Sequence, residues 1–381
     1  MKIFCILLAV LLLCSGCTPS HPEETEAALA VMETEQAIPT TAATIKTDPV
    51  EQCLARMTVE ERVGQLFLAR CPGENALEEL QTYHLGGYLL FGRDITGHTP
   101  TSLLRTIQSW QSAAEVPLLI AVDEEGGTVC RVSSIHTFRD EPFPSPRTLY
   151  DKGGLALVLE TETEKSLLLK NAGFNVNMAP VCDITLQPNT FLYHRSLGQS
   201  PEITAKFVSG TVEIMNTQQV GSVLKHFPGY GSNGDTHTGM VMDRRSLEEL
   251  ESADLLPFQA GIDAGCGAVL MSHTLVTALD ETLPVSLSPA AHDYLRQEMH
   301  FDGVIVTDDL AMAAITNTYG AGEAAVLAVL AGNDLLCSTE YALQYQAVLD
   351  AVASGRISME TLDAAVTRVL RWKEALGLLP Y

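Results

Sequence analysis

Basic residues are scarce in this chain. It has 23 lysines and arginines against 47 aspartates and glutamates, which gives a formal net charge of −24. Binding to nucleic-acid phosphates requires clustered lysines and arginines, so this composition argues against a nucleic-acid partner. A strong excess of acidic side chains is instead typical of a surface that keeps a protein in solution.

The sequence also begins with an apolar run that is too short to cross a bilayer. Residues 3–13 form eleven nearly uninterrupted apolar positions after Lys2, whereas a transmembrane helix needs about 20. This pattern is typical of a secretion signal. The following Leu13-Cys14-Ser15-Gly16-Cys17 resembles a bacterial lipobox, whose last cysteine is acylated. We therefore predict a signal over residues 1–17, lipidation of Cys17 and an extracytoplasmic, membrane-anchored location, with secretion without an anchor or an uncleaved anchor as alternatives.

No group of cysteines and histidines has the spacing of a zinc site, and we predict neither a metal nor another cofactor. Beyond the signal, six cysteines could form three disulfides in an exported protein. Their spacings are wide, however, and several lie in apolar, strand-like runs, so we expect buried free thiols. The six are Cys53, Cys71, Cys130, Cys182, Cys266 and Cys337.

Residues 18–48 lack the side chains that build a core. They contain no aromatic residue and few large apolar ones, and they are rich in Thr, Glu, Ala and Pro. Such a composition predicts a disordered linker. The linker would connect the membrane anchor to one folded domain over residues 49–381.

Within that domain, short apolar runs alternate with segments of helical period, such as residues 102–115, 203–218, 247–264, 289–298 and 320–331. Eight such β-then-α units in one domain predict a single (β/α)8 TIM barrel, an α/β fold. A doubly wound open sheet is the alternative, but no G-x-G-x-x-G motif follows the first run, which argues against a dinucleotide site. The predicted strands cover residues 64–69, 86–91, 117–123, 174–179, 221–225, 267–272, 303–307 and 333–336.

Polar residues follow several of these runs, and the carboxyl ends of barrel strands carry the reacting groups of TIM-barrel enzymes. Asp123 opens an acidic cluster after the third run, and Lys225 and His226 close the fifth. Asp235 and His237 follow in a glycine-containing loop, where the carboxylate could hold the imidazole. Asp308 closes the seventh run beside Asp309. Taken singly, each of these could be a polar turn, a solvated loop or a helix cap.

Taken together, the segments K-H-F-P-G (225–229), D-T-H (235–237) and T-D-D-L (307–310) resemble glycoside hydrolase family 3, in its single-domain β-N-acetylglucosaminidase branch. The resemblance implies an exo-acting, retaining glycosidase with a carbohydrate substrate. Asp308 would be the nucleophile, and His237, paired with Asp235, would be the acid/base. The residues that would bind the terminal sugar are Asp123, Arg195, Lys225 and His226, whereas Arg131 and Asp183 could be structural.

Some positions depart from the family pattern: Glu124 replaces a common Gln, Thr128 a common Arg and Tyr230 a common His. These changes leave the proposed catalytic groups in place and put only the substrate preference in doubt. The alternatives within the family are a β-glucosidase and a phosphorylase. Outside it, the alternatives are a non-catalytic sugar-binding lipoprotein and a structural envelope protein. The oligomeric state does not follow from the sequence.

Overall fold

The computed structural model describes residues 48–231, 233–234, 236 and 239–379. The predicted signal and all of the predicted linker except Asp48 lie outside these residues. The same holds for Cys17, Asp235 and His237.

Eight parallel strands form the centre of the domain, and each run predicted from the sequence overlaps one of them, although the eighth run shares only Leu336 with its strand. The sheet order is β7-β6-β5-β4-β3-β2-β1-β8. The strands are β1 (Phe67–Arg70), β2 (Gly87–Leu90), β3 (Leu119–Val122), β4 (Val176–Asn177), β5 (Gly221–Phe227), β6 (Ala268–Met271), β7 (Val304–Thr307) and β8 (Leu336–Ser338).

The two ends of this sheet meet, which makes it a closed barrel and not the alternative open sheet. A parallel bridge joins Val306 to Leu335. The Thr307 amide donates to the Leu335 carbonyl at 3.1 Å, and the Leu335 amide donates to the Ile305 carbonyl at 3.1 Å. The buried Asp334 carboxylate supports this seam, because it accepts from the Ile305 amide at 2.8 Å and from Arg296 Nη2 at 2.6 Å.

Helices surround the barrel, and residues that suit helix starts precede many of them. Ser200, for example, caps the helix that begins at Pro201, where proline is well tolerated. The helices are α1 (Pro49–Arg56), α2 (Val59–Gln65), α3 (Ala76–Tyr83), α4 (Gly92–Ile95), α5 (Pro100–Ala113), α6 (Pro146–Ala172), α7 (Pro201–Gln218), α8 (Leu247–Ser252), α9 (Leu255–Asp263), α10 (Pro289–Asp293), α11 (Ala313–Tyr319), α12 (Ala321–Ala331), α13 (Tyr341–Ala353) and α14 (Met359–Ala375).

Two predicted boundaries are wrong for local reasons. The first strand begins at Phe67 and not at residue 64, because Thr58 and Glu61 form a capping box that starts α2, and this helix continues to Gln65. The helix predicted over 247–264 is two helices, because Ala253 leaves helical geometry at φ −138° and ψ −77°. At that junction the Asp254 carboxylate accepts a hydrogen bond from Arg245 at 2.6 Å.

Shorter elements complete the domain. A hairpin follows β3 (Glu124–Gly126 with Val129–Cys130), and a parallel pair joins Val241–Asp243 to Thr274–Val276. A π-helical turn over Tyr294–Glu298 continues α10. All six cysteines in the described chain are free thiols, as predicted; five are buried and Cys53 is half-buried. No helix among the described residues has the length and hydrophobicity that crossing a bilayer requires.

Candidate active site at the carboxyl end of the barrel

The strand register places the candidate residues in one layer at the mouth of the barrel. Side chains of a strand alternate between its two faces, so residues two apart share a face. The interior core contains Leu68, Leu89, Ala121, Val223 and Val306. Two positions further along the same strands lie Arg70, Phe91, Asp123, Lys225 and Asp308, and all five line one cavity of about 330 Å³.

The fifth strand contributes two adjacent side chains to this cavity, Lys225 and His226. In a regular strand neighbouring side chains point to opposite faces. Here the register of β5 against β6 shifts between Leu224 and Phe227, and the Lys225–His226 peptide bond is cis. The register shift lets both residues line the cavity.

A cluster of buried charges forms one wall of the cavity. Lys225 Nζ contacts Asp123 Oδ1 at 2.7 Å and Glu125 Oε1 at 2.6 Å. Arg195 binds Glu125 with two nitrogens, Nε at 2.8 Å and Nη2 at 2.7 Å. The Asp123 side chain is 19% exposed and that of Glu125 only 1%, so Asp123 is the acid that a sugar hydroxyl can reach.

The cluster remains charged because its members stabilise one another. Burial alone would raise the pKa of Glu125, but Lys225 and Arg195 outweigh it and hold that pKa well below its ordinary value. Burial would likewise lower the pKa of Lys225, but Asp123 and Glu125 raise it overall. The pKa of Arg195 is also raised, because Glu125 outweighs its burial.

Asp183 fixes the orientation of His226. Its carboxylate accepts from the His226 backbone amide at 3.0 Å and lies 2.8 Å from His226 Nδ1. The other ring nitrogen, Nε2, lies 3.4 Å from Arg195 Nη2. A carboxylate only accepts and a guanidinium only donates, so a neutral ring with its proton on Nδ1 satisfies both neighbours.

Thr236, which lies in sequence between the predicted Asp235 and His237, contacts the cavity wall. Between these two residues, the buried Thr236 hydroxyl lies 2.7 Å from the hydroxyl of Tyr230, which itself lines the cavity. At the two ends of the loop, Arg245 donates to the Gly229 carbonyl at 2.9 Å and to both carboxylate oxygens of Asp243.

The two neighbouring acids after β7 have different surroundings. Asp309 accepts from the Ala311 amide at 2.9 Å and from the amide and hydroxyl of Thr339, so it joins the ends of β7 and β8. Both acids are half-buried and line the cavity, and the Asp308 carboxylate accepts from the Asp309 amide at 2.9 Å. Asp309 therefore has a structural role, whereas the reacting role of Asp308 stays a prediction.

Two residues of the site were missed or undervalued in the sequence. Glu125 bridges Lys225 and Arg195, although the D-E-E pattern gave no reason to prefer it to its neighbours. Asp183 orients His226 across 43 positions of sequence, a distance that no local pattern reveals. Glu124, in contrast, is fully buried and accepts from the amides of Arg131 and Val132, so it supports the loop and does not face the cavity.

The fold and this mouth define a TIM-barrel enzyme whose cavity combines acids, an imidazole and cations suited to a polyhydroxylated ligand. Within the part of the chain that the structure describes, no group of three or more His, Cys, Asp or Glu residues could hold a metal ion. The model of the glycosyl hydrolase family 3 N-terminal domain matches residues 58–372, and the chain belongs to this family.

Known relatives share both sequence and fold with the chain. Beta-hexosaminidase LpqI of Mycobacterium tuberculosis is 30% identical over 84% of this chain and 84% of its own length. Beta-hexosaminidase A of Pseudoalteromonas piscicida is 30% identical over 78% of this chain, but the match spans only 55% of that longer protein. The structure of a glycoside hydrolase family 3 β-N-acetylglucosaminidase from Paenibacillus superposes with a TM-score of 0.79 at 34% identity, covering 85% of this chain and 64% of that one.

Replacing Glu125 by glutamine should destabilise the protein in a pH-dependent way. The substitution keeps the shape but leaves the cations of Lys225 and Arg195 undercompensated, so we expect the free energy of unfolding in urea to fall by about 3 kcal/mol at pH 7. Because the folded-state pKa of Glu125 is lowered, its stabilisation is complete above the ordinary value of 4.5. It is lost as the pH falls toward the lower folded-state value.

The difference between wild type and Glu125→Gln should therefore narrow below pH 4.5. Glu78→Gln is the matched control, because Glu78 is exposed, and it should change stability by less than about 0.5 kcal/mol. A Glu125→Gln effect as small as that of the control, or one that is constant from pH 7 to pH 3.5, would contradict this account.

Proposed function

We propose that the chain is an exo-acting, retaining β-N-acetylhexosaminidase that hydrolyses terminal β-linked N-acetylglucosamine. Glycans such as peptidoglycan fragments or chitooligosaccharides would be its substrates. Membership of glycosyl hydrolase family 3 and the names of the relatives support this activity. The observation that carries the proposal is the layer in which Asp308 shares one cavity with Asp123, Arg195, Lys225 and His226.

In the proposed reaction, Asp308 is the nucleophile. Its carboxylate attacks the anomeric carbon, the bond to the leaving oxygen breaks, and a covalent glycosyl-aspartate forms. A water molecule then attacks the same carbon and releases Asp308. Two successive inversions give a product with the configuration of the substrate. The cavity supports this role because Asp308 lies at the end of a rigid barrel strand, which suits the positioning of a reacting group.

His237 would supply and take the proton. As an imidazolium it protonates the leaving oxygen, and as a neutral ring it then accepts the proton of the attacking water, so one residue serves both steps. Asp235 would hold the ring and stabilise its charged form. These roles are supported by Thr236, the residue between them in sequence, which contacts Tyr230 of the cavity wall.

The charged wall would recognise the terminal sugar. The exposed edge of Asp123 can accept from a hydroxyl, while Lys225 and Arg195 offer donors from fixed positions and His226 lines the same cavity. Because these groups are already paired and buried, they need no reorganisation when the sugar binds, which favours selective recognition.

The alternative functions would use the same cavity in different ways. A phosphorylase would use phosphate in place of water, and a β-glucosidase would lack selectivity for the acetamido group. A sugar-binding lipoprotein would bind without turnover. No observation favours any of these over hydrolysis of an N-acetylhexosaminide.

We further propose that the protein is anchored at the outer side of a bacterial membrane through acylated Cys17. The apolar run after Lys2 and the Leu13-Cys14-Ser15-Gly16-Cys17 segment support this location. Secretion without an anchor is the alternative.

The activity is tested with 4-nitrophenyl β-N-acetylglucosaminide and 4-nitrophenyl β-glucoside, each with and without phosphate. We expect release of 4-nitrophenol only from the acetamido sugar, with no effect of phosphate. Acceleration by phosphate together with a sugar 1-phosphate product would identify a phosphorylase instead. Folded protein without activity on either substrate would indicate the non-catalytic sugar-binding alternative.

Variants at the two reacting positions should differ in their dependence on the leaving group. Asp308→Ala should lower kcat/KM by about 10⁴-fold or more on every substrate, because no intermediate can form. His237→Ala should slow chitobiose hydrolysis by about 10²-fold or more but 4-nitrophenyl release much less, since a good leaving group needs no proton.

The matched controls for these variants are Asp302→Ala and His136→Ala, both at exposed positions, and they should retain wild-type rates. Near-wild-type activity of Asp308→Ala would contradict the nucleophilic role of Asp308. An equal loss on both substrates in His237→Ala would refute the acid role.

Cys17→Ser should move the protein from the membrane fraction to the soluble fraction after cell lysis, because the acylated thiol is lost. Labelling with radioactive palmitate should mark the wild-type chain and not the variant. Cys14→Ser is the control and should leave both readouts unchanged. Labelling that persists in Cys17→Ser would exclude this anchor position.

A further inference from the structure

The segment between β4 and α7, residues 178–200, contributes to the site at two separate points. Near its start Asp183 orients His226, and near its end Arg195 binds the buried acids of the cavity wall. The residues between these points include the exposed positions 186–189 and form neither helix nor strand. Regular secondary structure therefore does not fix where Asp183 and Arg195 lie relative to each other.

One guanidinium group connects the two ends of this segment. Arg147, in the first turn of α6, donates from Nη2 to the Thr185 carbonyl at 2.8 Å. It also donates from Nε to the Tyr193 carbonyl at 3.0 Å and from Nη2 to Ser196 Oγ at 3.1 Å. Thr185 lies two positions after the acid that orients the imidazole, and the other two acceptors lie on either side of Arg195. A single side chain thus links both points at which the segment enters the site.

Packing fixes the plane of this guanidinium group. Its central carbon lies 3.9 Å from the centre of the Tyr193 ring, which is a close cation–π contact. Gly198 is also adjacent and has a positive φ of +70°, and a Cβ at this position would overlap the guanidinium group. The described partners of Arg147 are carbonyls, a hydroxyl and a ring, and none is a carboxylate. The planar fork of donors therefore matters here more than the charge.

The acceptors of Arg147 depend on it because they are shielded from water. Thr185 and Ser196 are both buried, and buried polar groups need a hydrogen-bond partner. Without the guanidinium group, the segment would have to move to bring these oxygens to water or to another donor. Such a movement would displace Asp183 and Arg195, since each lies within two residues of one of these acceptors.

We propose that Arg147 is a positioning residue of the candidate active site, which holds Asp183 and Arg195 in the places that sugar binding requires. Arg147 is not among the described residues that line the cavity, so it acts through the segment and not on the ligand. The inference rests on the proposed function for the identity of the ligand. The positioning itself is a property of the folded chain and can be measured without any ligand.

The first test is the hydrolysis of 4-nitrophenyl β-N-acetylglucosaminide by Arg147→Ala. We expect KM to rise about tenfold, the effect of one charge-assisted hydrogen bond, while kcat changes by less than about twofold, because Asp308 lies on another strand. A variant that is only less stable would lose active molecules, which lowers kcat and leaves KM unchanged, and that result would contradict the proposal. Arg147→Lys should also raise KM, since lysine lacks the planar fork, and it replaces Arg147→Ala if the latter does not fold.

A double-mutant cycle tests whether Arg147 acts through Arg195. In the background of Arg195→Gln, the effect of Arg147→Ala on KM should be at least about threefold smaller than in the wild type, because the group to be positioned is already lost. The same factor in both backgrounds would overturn this route. Arg105→Ala is the matched control, because Arg105 is exposed on α5, and it should keep the wild-type KM in both backgrounds.

Hydrogen exchange of the ligand-free protein separates this inference from the proposed function. The amides of His226 and Tyr230 donate to Asp183 at 3.0 and 2.7 Å, so they report whether Asp183 keeps its place. In Arg147→Ala, peptides that contain these two amides should exchange about tenfold faster than in the wild type, and in Arg105→Ala they should not change. If no substrate is cleaved, the proposed function fails and the exchange rates still decide the positioning. Unchanged exchange at both amides in Arg147→Ala overturns the inference.

Discussion

Closure of the parallel sheet between β7 and β8 is the constraint on which the rest of the molecule depends. Parallel strands that meet in a ring leave no unpaired edge, and their carboxyl ends share one mouth. The seam is held by backbone bonds around Ile305 and Leu335 and by the Asp334 carboxylate, which Arg296 and Arg368 contact. Only in the closed ring does Asp308 of the seventh strand face the same cavity as Asp123 of the third.

The mouth contains buried charged side chains, each of which would be strongly destabilising without a partner of opposite charge. Lys225 and Glu125 are almost wholly buried, and removing either from water costs several kcal/mol. Their mutual contacts, with Asp123 and Arg195, offset that cost and hold each donor and acceptor at a fixed position. The cluster is therefore better explained by recognition of a ligand than by stability, since apolar side chains would fill the same space at lower cost.

Much of this architecture could be predicted from local patterns. The eight apolar runs predicted the strands, because buried parallel strands are almost uniformly apolar. The polar residues after these runs predicted which side chains lie at the mouth. The predicted boundaries of helices and strands were wrong where local hydrogen bonds compete with the apolar pattern. This happened at the Thr58 capping box and at Asp254. Glu125 and Asp183 could not be singled out, because their partners lie 70 and 43 residues away.

The sequence by itself determined the strands, the helices and the inventory of acids, imidazoles and cations at the strand ends, since these follow from side-chain period and local backbone preference. Tertiary structure decided which of them meet. It brought both Asp308 and Asp309 to the cavity, and it joined Asp309 to Thr339 after the eighth strand. It also brought Arg70 and Arg131 into the same cavity. The physical reason is that partners of a buried charge are chosen by distance in space, and only closure of the barrel sets those distances.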